Sequence, residues 1–188
     1  AVDRTILFPG GGGQQRDEGS LGGYPIQDAW WAGEVIYYSL GERPVFREGD
    51  VVMLKVKPQP RERMMRLHSA SHIVAYILEQ KTGCGMDAFL GTQITPHKAR
   101  LDYRSSISFA SVCADIEEKV NAFILEEYPI FHFQSKKFSG KYRWICDSME
   151  YFCCGLHPSN TAQIGPISLQ RKTIGKEKER LTITLQRE

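Results

Sequence analysis

Two short stretches of this 188-residue chain carry side chains able to do chemistry: Arg66-Leu67-His68-Ser69-Ala70-Ser71-His72 and Cys153-Cys154-Gly155-Leu156-His157. Residues four apart on a helix share a face, so His68 and His72 present both imidazoles about one turn from each other. Cys153 and His157 are separated by a segment containing Gly155, which allows a tight turn that brings both donors to one ion. The resulting His/His/Cys/His set favours zinc, which is the cofactor expected here. Cys154 offers an alternative thiolate beside Cys153.

Simpler readings of the same residues compete with this one. Taken alone, His68 and His72 read as a partly buried, hydrogen-bonded pair. The metalloprotease pattern with the same spacing needs a glutamate directly after the first histidine; that position is Ser69, so the protease reading loses its support. Cys113 and Cys146 lie in apolar surroundings and read as small core residues. His97 and His132 have no companion donor nearby in sequence and read as structural or surface residues. Four protein ligands usually close a structural zinc site, whereas a catalytic one keeps a position open, so the donor set by itself leaves staple and catalyst both standing.

These donors must be held by elements of two kinds. Residues 1–60 show no helical period. Thr5-Ile6-Leu7-Phe8 reads as a short strand before the glycine run Gly10-Gly11-Gly12-Gly13-Gln14, which permits close approach of backbone to a ligand. No Gly-Lys-Ser/Thr follows, so it is not a P-loop. Strands are expected at 26–30, 34–38 and 51–56, and together they predict a small N-terminal β-barrel-like domain. Lys57-Pro58-Gln59-Pro60 reads as a linker. Residues 61–188 predict a mixed α+β domain. It has helices over 61–80, ended by Gly83, and over 108–128, ended by Pro129. Strands are expected near 92–103, 130–133, 142–145 and 164–169, with a half-buried strand at 180–185.

The bulk numbers narrow the function. Hydrophobic residues make up 41% and charged residues 24% of the chain, with a net charge of +2. Such a chain is no polycation, so a nucleic-acid partner would be held by a local patch or by shape. No apolar run approaches the roughly 20 residues that span a bilayer. Ala1-Val2-Asp3-Arg4-Thr5 does not read as a secretory signal. The odd count of five cysteines suits a reducing compartment better than a disulfide scaffold. A soluble cytoplasmic protein without membrane contact is expected.

Three motifs in order then resemble one family. Cys153-Cys154-Gly155-Leu156-His157 followed by Asn160-Thr161-Ala162-Gln163-Ile164-Gly165 is similar to the Cys-Gly-Gly-Thr-His and Asn-Thr-Gly-Glu-Ile-Gly segments of the editing domain shared by alanyl-tRNA synthetase and the free-standing AlaX-type editing proteins. Phe8-Pro9-Gly10-Gly11-Gly12-Gly13-Gln14, with Asp17 and Gly19, resembles the glycine-rich motif of the longer AlaX forms. Arg100-Leu101-Asp102-Tyr103 resembles a family strand of Arg-Phe-Asp-Phe type. The departures are Cys154 for glycine, Leu156 for threonine and Gln163 for glutamate. A glutamine that helps editing in the synthetase has no clear counterpart over 86–95, Gln93 being near but out of register. Family members also carry strands before the Asp3-Arg4-Thr5 region, which implies a chain that begins inside the β module.

The resemblance implies a β-barrel followed by an α+β editing domain, with zinc held by His68, His72, Cys153 and His157 where the aminoacyl group binds. It implies hydrolysis of the ester joining wrongly attached serine or glycine to alanine tRNA. Within that reading, backbone N–H groups of Gly11, Gly12 and Gly13, with Gln14 closing the motif, form an oxyanion-stabilising wall. Ser69 and Ser71 sense a substrate hydroxyl, and Thr161 shapes its turn by hydrogen bonding. Arg61, Arg63, Lys136, Lys137, Arg171 and Lys172 are the cations that would meet tRNA. The rival expectation is a non-catalytic tRNA- or RNA-binding module stapled by zinc. A piece of a complete synthetase is a third, weakened by the lack of any ATP-binding or class-defining synthetase motif in these residues.

Overall fold

A computed structural model describes residues 1–138 and 141–186. The chain is mixed α+β, with three antiparallel sheets and two α-helices among the described residues. The first sheet is formed by β1 (Gly19–Leu21), β2 (Tyr24–Ala32), β3 (Val35–Leu40) and β4 (Leu54–Val56), in the order β3-β2-β1-β4. β3 and β4 stand at opposite ends of that order. Pairing among the described residues therefore leaves the sheet open, where a closed barrel would join them.

Gly19 is required at the β1–β4 crossing, because a Cβ there would lie 2.2 Å from the Lys55 carbonyl oxygen. Leu7, Leu21, Ile26, Ala29 and Ile36 form a small core under this sheet. Two expected strands are shorter or absent. Residues 51–53 lie outside β4, and the 5–8 segment forms no strand. Its Leu7 is nonetheless buried, and the Phe8 N–H donates to Asp17 Oδ2 at 2.7 Å.

The 57–60 segment is not a linker. It opens helix α1 (Pro58–Thr82), with Lys57 as its extended N-cap and proline in the first turn, where a missing N–H costs nothing. Gly83, at φ 72°, closes the helix in the left-handed conformation and donates to the Glu79 carbonyl at 2.8 Å. Between Met64 and Val74 nearly every α1 side chain is buried, so this helix is surrounded by protein and does not lie half in water.

The second sheet covers α1 with β5 (Phe89–Ile94), β6 (Ala99–Arg104), β10 (Ile167–Gly175) and β11 (Lys178–Leu185), in the order β10-β11-β6-β5. The expected alternation over 180–185 holds, with Leu181, Ile183 and Leu185 buried. The second helix, α2 (Cys113–Leu125), is shorter than the predicted 108–128. Ser108 instead caps a 3-10 turn at Phe109–Ser111 by accepting from the Ala110 N–H at 3.3 Å. The third sheet, β7 (Ile130–Gln134), β8 (Tyr142–Cys146) and β9 (Met149–Phe152), runs in that order. β9 carries no clear alternation in sequence; it is set by the β8–β9 turn, where Asp147 takes φ 50°. A large core including Leu67, Ile73, Tyr103, Phe109, Trp144 and Ile183 fills the space around α1.

Candidate metal and substrate site

His68 is buried in the enclosed part of α1 and His72, one turn on, borders a cavity; their rings stack with centroids 5.0 Å apart. The chain leaving β9 brings Cys153 and His157 against them. Cys153 Sγ lies 3.3 Å from His68 Nε2 and 3.2 Å from His157 Nε2, and one ligand atom from each of the four residues lies within 4.8 Å of all the others. A tetrahedral ion with sulfur and imidazole ligands sets such pairs about 3.5 Å apart, given bond lengths of about 2.3 and 2.0 Å. The thiol in this group is Cys153. Cys154 is exposed at the edge of the site.

The hydrogen bonds around the cluster settle which nitrogens face it. Gln14 Oε1 accepts the Leu156 N–H at 3.1 Å, which identifies that amide atom as the oxygen. The same oxygen lies 2.7 Å from His68 Nδ1, so Nδ1 carries the hydrogen and Nε2 turns a lone pair toward Cys153. Ser69 Oγ, 2.9 Å from His157 Nδ1, leaves His157 Nε2 facing the sulfur. His132, expected to stand apart, lies with its Nε2 2.9 Å from the Cys153 carbonyl and its ring 5.2 Å from that of His157. Such outer partners orient metal ligands. No sequence signal pointed to His132; strand register sets it beside the buried Trp144 on the inward face of β7.

Burial keeps these histidines neutral. Desolvation, reinforced by His132, pushes His68 down to about 3. Desolvation and the neighbouring histidines hold His72 and His157 well below the ordinary range. Burial pushes the Cys153 thiol up to about 11, partly offset by the Gly155 N–H that points at its sulfur. Neutral imidazoles are the form that binds a metal. His72 Nε2 is buried without a hydrogen-bond partner, a cost of about 1–3 kcal/mol in a closed apolar site that a cation would remove. The residues fit a metal ion.

Sterics hold the turn in place. A Cβ on Gly155 would lie 2.1 Å from His68 Cε1 and 2.3 Å from its Nδ1, so only glycine passes there. The glycine-rich loop is fastened to β5 by Ile94 N–H to the Gly13 carbonyl (2.8 Å) and Gln15 N–H to the Ile94 carbonyl (2.9 Å). Gly13 has φ 84°, and a Cβ there would meet Thr92 Cγ2 at 2.3 Å. The Gly11 N–H donates to the Gln14 carbonyl at 3.1 Å, so it is committed and cannot serve an oxyanion. The N–H groups of Gly12 and Gly13 have no such partner among the described residues.

A cavity of about 290 Å³ opens beside the cluster, bordered by Gly12, Ser71, His72, Thr92, Tyr103 and Phe152 among others. Its volume is at the lower end of small-molecule sites. Ser71 Oγ donates to the His68 carbonyl at 2.6 Å, leaving acceptor capacity toward the cavity. Ser69 is bound to His157 and is not among the cavity residues.

Other expected residues lie elsewhere. Thr161 is buried, with Oγ1 donating to the Ile124 carbonyl at 3.2 Å, which ties its segment to the end of α2. Gln163 accepts from the Ser159 N–H at 3.0 Å, a local role. Thr92, not Gln93, borders the cavity.

The expected cations divide. Arg61 is paired with the buried Asp17 and also donates to the Ile6 carbonyl. Arg63 donates to the Pro96 carbonyl and Arg171 pairs with Glu179, whereas Lys136, Lys137 and Lys172 are exposed. No helix among the described residues is long and apolar enough to cross a membrane.

No protein-family model matches the chain. It is 29% identical over 189 residues to the alanyl-tRNA editing protein AlaX-M of Pyrococcus horikoshii, covering 98% of this chain and 86% of that one. It is 28% identical over 193 residues to the alanine–tRNA ligase of Metallosphaera sedula and 26% identical over 189 residues to that of Methanocella arvoryzae. Each of these alignments covers 89% of this chain, which spans only 21% of either ligase. The chain is thus similar, along nearly its whole length, to an alanyl-tRNA editing protein of the AlaX-M kind.

Proposed function

We propose that this chain is a free-standing cytoplasmic editing hydrolase. It would cleave the ester that joins wrongly attached serine or glycine to the 3′ end of alanine tRNA. The observation that carries the reading is the His68/His72/Cys153/His157 cluster, with its unpartnered His72 Nε2, at the wall of a small cavity that Gly12 of the glycine-rich loop also borders. Residues 1–60, of which 58–60 already belong to α1, contain the β module that presents the loop. Residues 61–188, the last two of which lie outside the described ones, serve as the editing unit.

Zinc held by the four donors would supply Lewis-acid chemistry toward the aminoacyl group. Gln14 and Ser69 fix the ring orientations of His68 and His157 through Nδ1, and His132 anchors the Cys153 carbonyl. The Gly12 and Gly13 N–H groups are the donors left to stabilise an oxyanion. Ser71, its proton committed to the helix, acts as an acceptor for the amino or hydroxyl group of the acyl moiety. Walls such as Phe89, Leu101 and Tyr103 limit the water around it.

The test is deacylation of serine-charged alanine tRNA by the wild type and by His72→Ala. A fall of at least a hundred-fold is expected, and equal rates would sink the metal-centred mechanism. The four-donor set itself favours a second reading, a closed structural ion in an RNA-binding module. That reading requires RNA binding with no deacylation by the wild type.

A further inference from the structure

The outer face of the third sheet carries a pattern that the site does not use. Strand register places Phe133, Arg143 and Phe152 in one row across β7, β8 and β9, with Phe131 one row further along the same face of β7. These phenylalanines are on the solvent side, Phe131 55%, Phe133 44% and Phe152 54% exposed, while Trp144 on the opposite face is fully buried. Phe138, 42% exposed, meets Phe152 edge-on at 5.4 Å.

Cations lie over these rings. Lys141 Nζ is 5.3 Å from the Phe152 centroid and 5.7 Å from that of Phe138, and the Arg143 guanidinium is 5.9 Å from Phe133. Glu150 pins Arg143, whereas Lys141 has no carboxylate partner among the described residues. Exposed phenylalanines are costly to leave in water and serve no core here. An apolar protein partner would need the rings but not the cations over Phe133, Phe138 and Phe152. Rings interleaved with lysine and arginine match unpaired bases stacked on aromatic faces, with phosphates beside the cations. The metal cluster packs against the opposite face, through His132, Trp144 and Tyr151, and Phe152, on the edge strand β9, borders the cavity, so a strand lying on the outer face would reach the cavity by passing round the β9 edge.

We infer that the β7-β8-β9 face is a stacking platform for single-stranded RNA, the unpaired 3′ end of the tRNA substrate. This inference rests on the proposed editing function for the identity of the RNA.

The experiment measures binding of a fluorescein-labelled, uncharged single-stranded RNA ending in CCA, against the same sequence held in a duplex. The full chain should bind the single strand at least ten-fold better than the duplex. Phe133→Ala should weaken binding about ten-fold, as expected for one lost base–aromatic stack, and Phe133→Tyr should restore it. Because Phe133 lies outside the core, the thermal midpoint of Phe133→Ala should match the wild type and report an intact fold. Unchanged single-strand binding in Phe133→Ala overturns the inference. So does equal affinity for duplex, or a change in sedimentation without a change in RNA binding, which would assign the face to a second copy of the chain. Ring-dependent RNA binding without deacylation would leave the platform standing and remove the hydrolase. Deacylation with ring-independent binding would do the reverse.

Discussion

Replacing Gln14 tests how the glycine-rich loop governs the metal cluster. One atom, Gln14 Oε1, accepts both the His68 Nδ1–H at 2.7 Å and the Leu156 N–H at 3.1 Å, joining the loop, α1 and the Cys–His turn. Gln14 is 3% exposed, and its Nε2 has no hydrogen-bond partner. Gln14→Ala leaves two buried donors unsatisfied, each worth about 1–3 kcal/mol. It also frees His68 to rotate or change tautomer, an effect that typically costs about 10–100-fold in metal affinity. Gln14→Glu keeps an acceptor oxygen on both donors and gives up only an amide nitrogen that binds nothing. Zinc affinity measured by competition with a chromophoric chelator should fall at least ten-fold in Gln14→Ala and stay at or above the wild-type value in Gln14→Glu. The glutamate variant should lose thermal stability only when zinc is removed, because its buried charge is then unpaired. Equal zinc affinity for the alanine variant and the wild type would refute the assigned role of this oxygen.

Gly155→Ala places a methyl 2.1 Å from His68 Cε1; relaxing that overlap should cost about 1–3 kcal/mol and weaken zinc binding, read by urea midpoint and chelator competition, whereas a wild-type midpoint would show that the turn can shift freely. The pH dependence of the zinc-free protein follows from burial of the histidines. An unfolded chain protonates His68 below about 6.5, while the folded chain holds it neutral down to about 3, so the unfolded state binds more protons and stability is lost as pH falls through that window. Between pH 7 and pH 5 His68 alone should cost about 2 kcal/mol, with His72 and His157 acting in the same direction. Urea midpoints that are flat or rise toward pH 5 would contradict it.

The sequence by itself singled out the candidate donors and determined most of the elements. The four-residue spacing of His68 and His72, the glycine in the Cys153–His157 turn and the glycine-rich opening are local signals, since each expresses backbone geometry over a few residues. The helix over 61–80 and the alternating strand over 180–185 were equally legible, because burial of one face writes a period into the chain. What sequence periodicity missed was short or set by distant contacts: β1, β9, and the α1 start read as a linker because proline is tolerated in a first helical turn.

Spacing alone left Cys153 and Cys154 both open and the resemblance favoured Cys153; in the tertiary structure the turn directs that sulfur inward and leaves the other exposed. The tertiary structure alone placed His132 behind the cluster, through strand register, and withdrew Arg61 from the surface by pairing it with Asp17. It also divided the roles of neighbours: Ser69 holds a ligand ring while Ser71 borders the cavity. The physical reason is that periodicity says which face of an element is buried, whereas the identity of the atom opposite a side chain is set by packing between segments far apart in the chain.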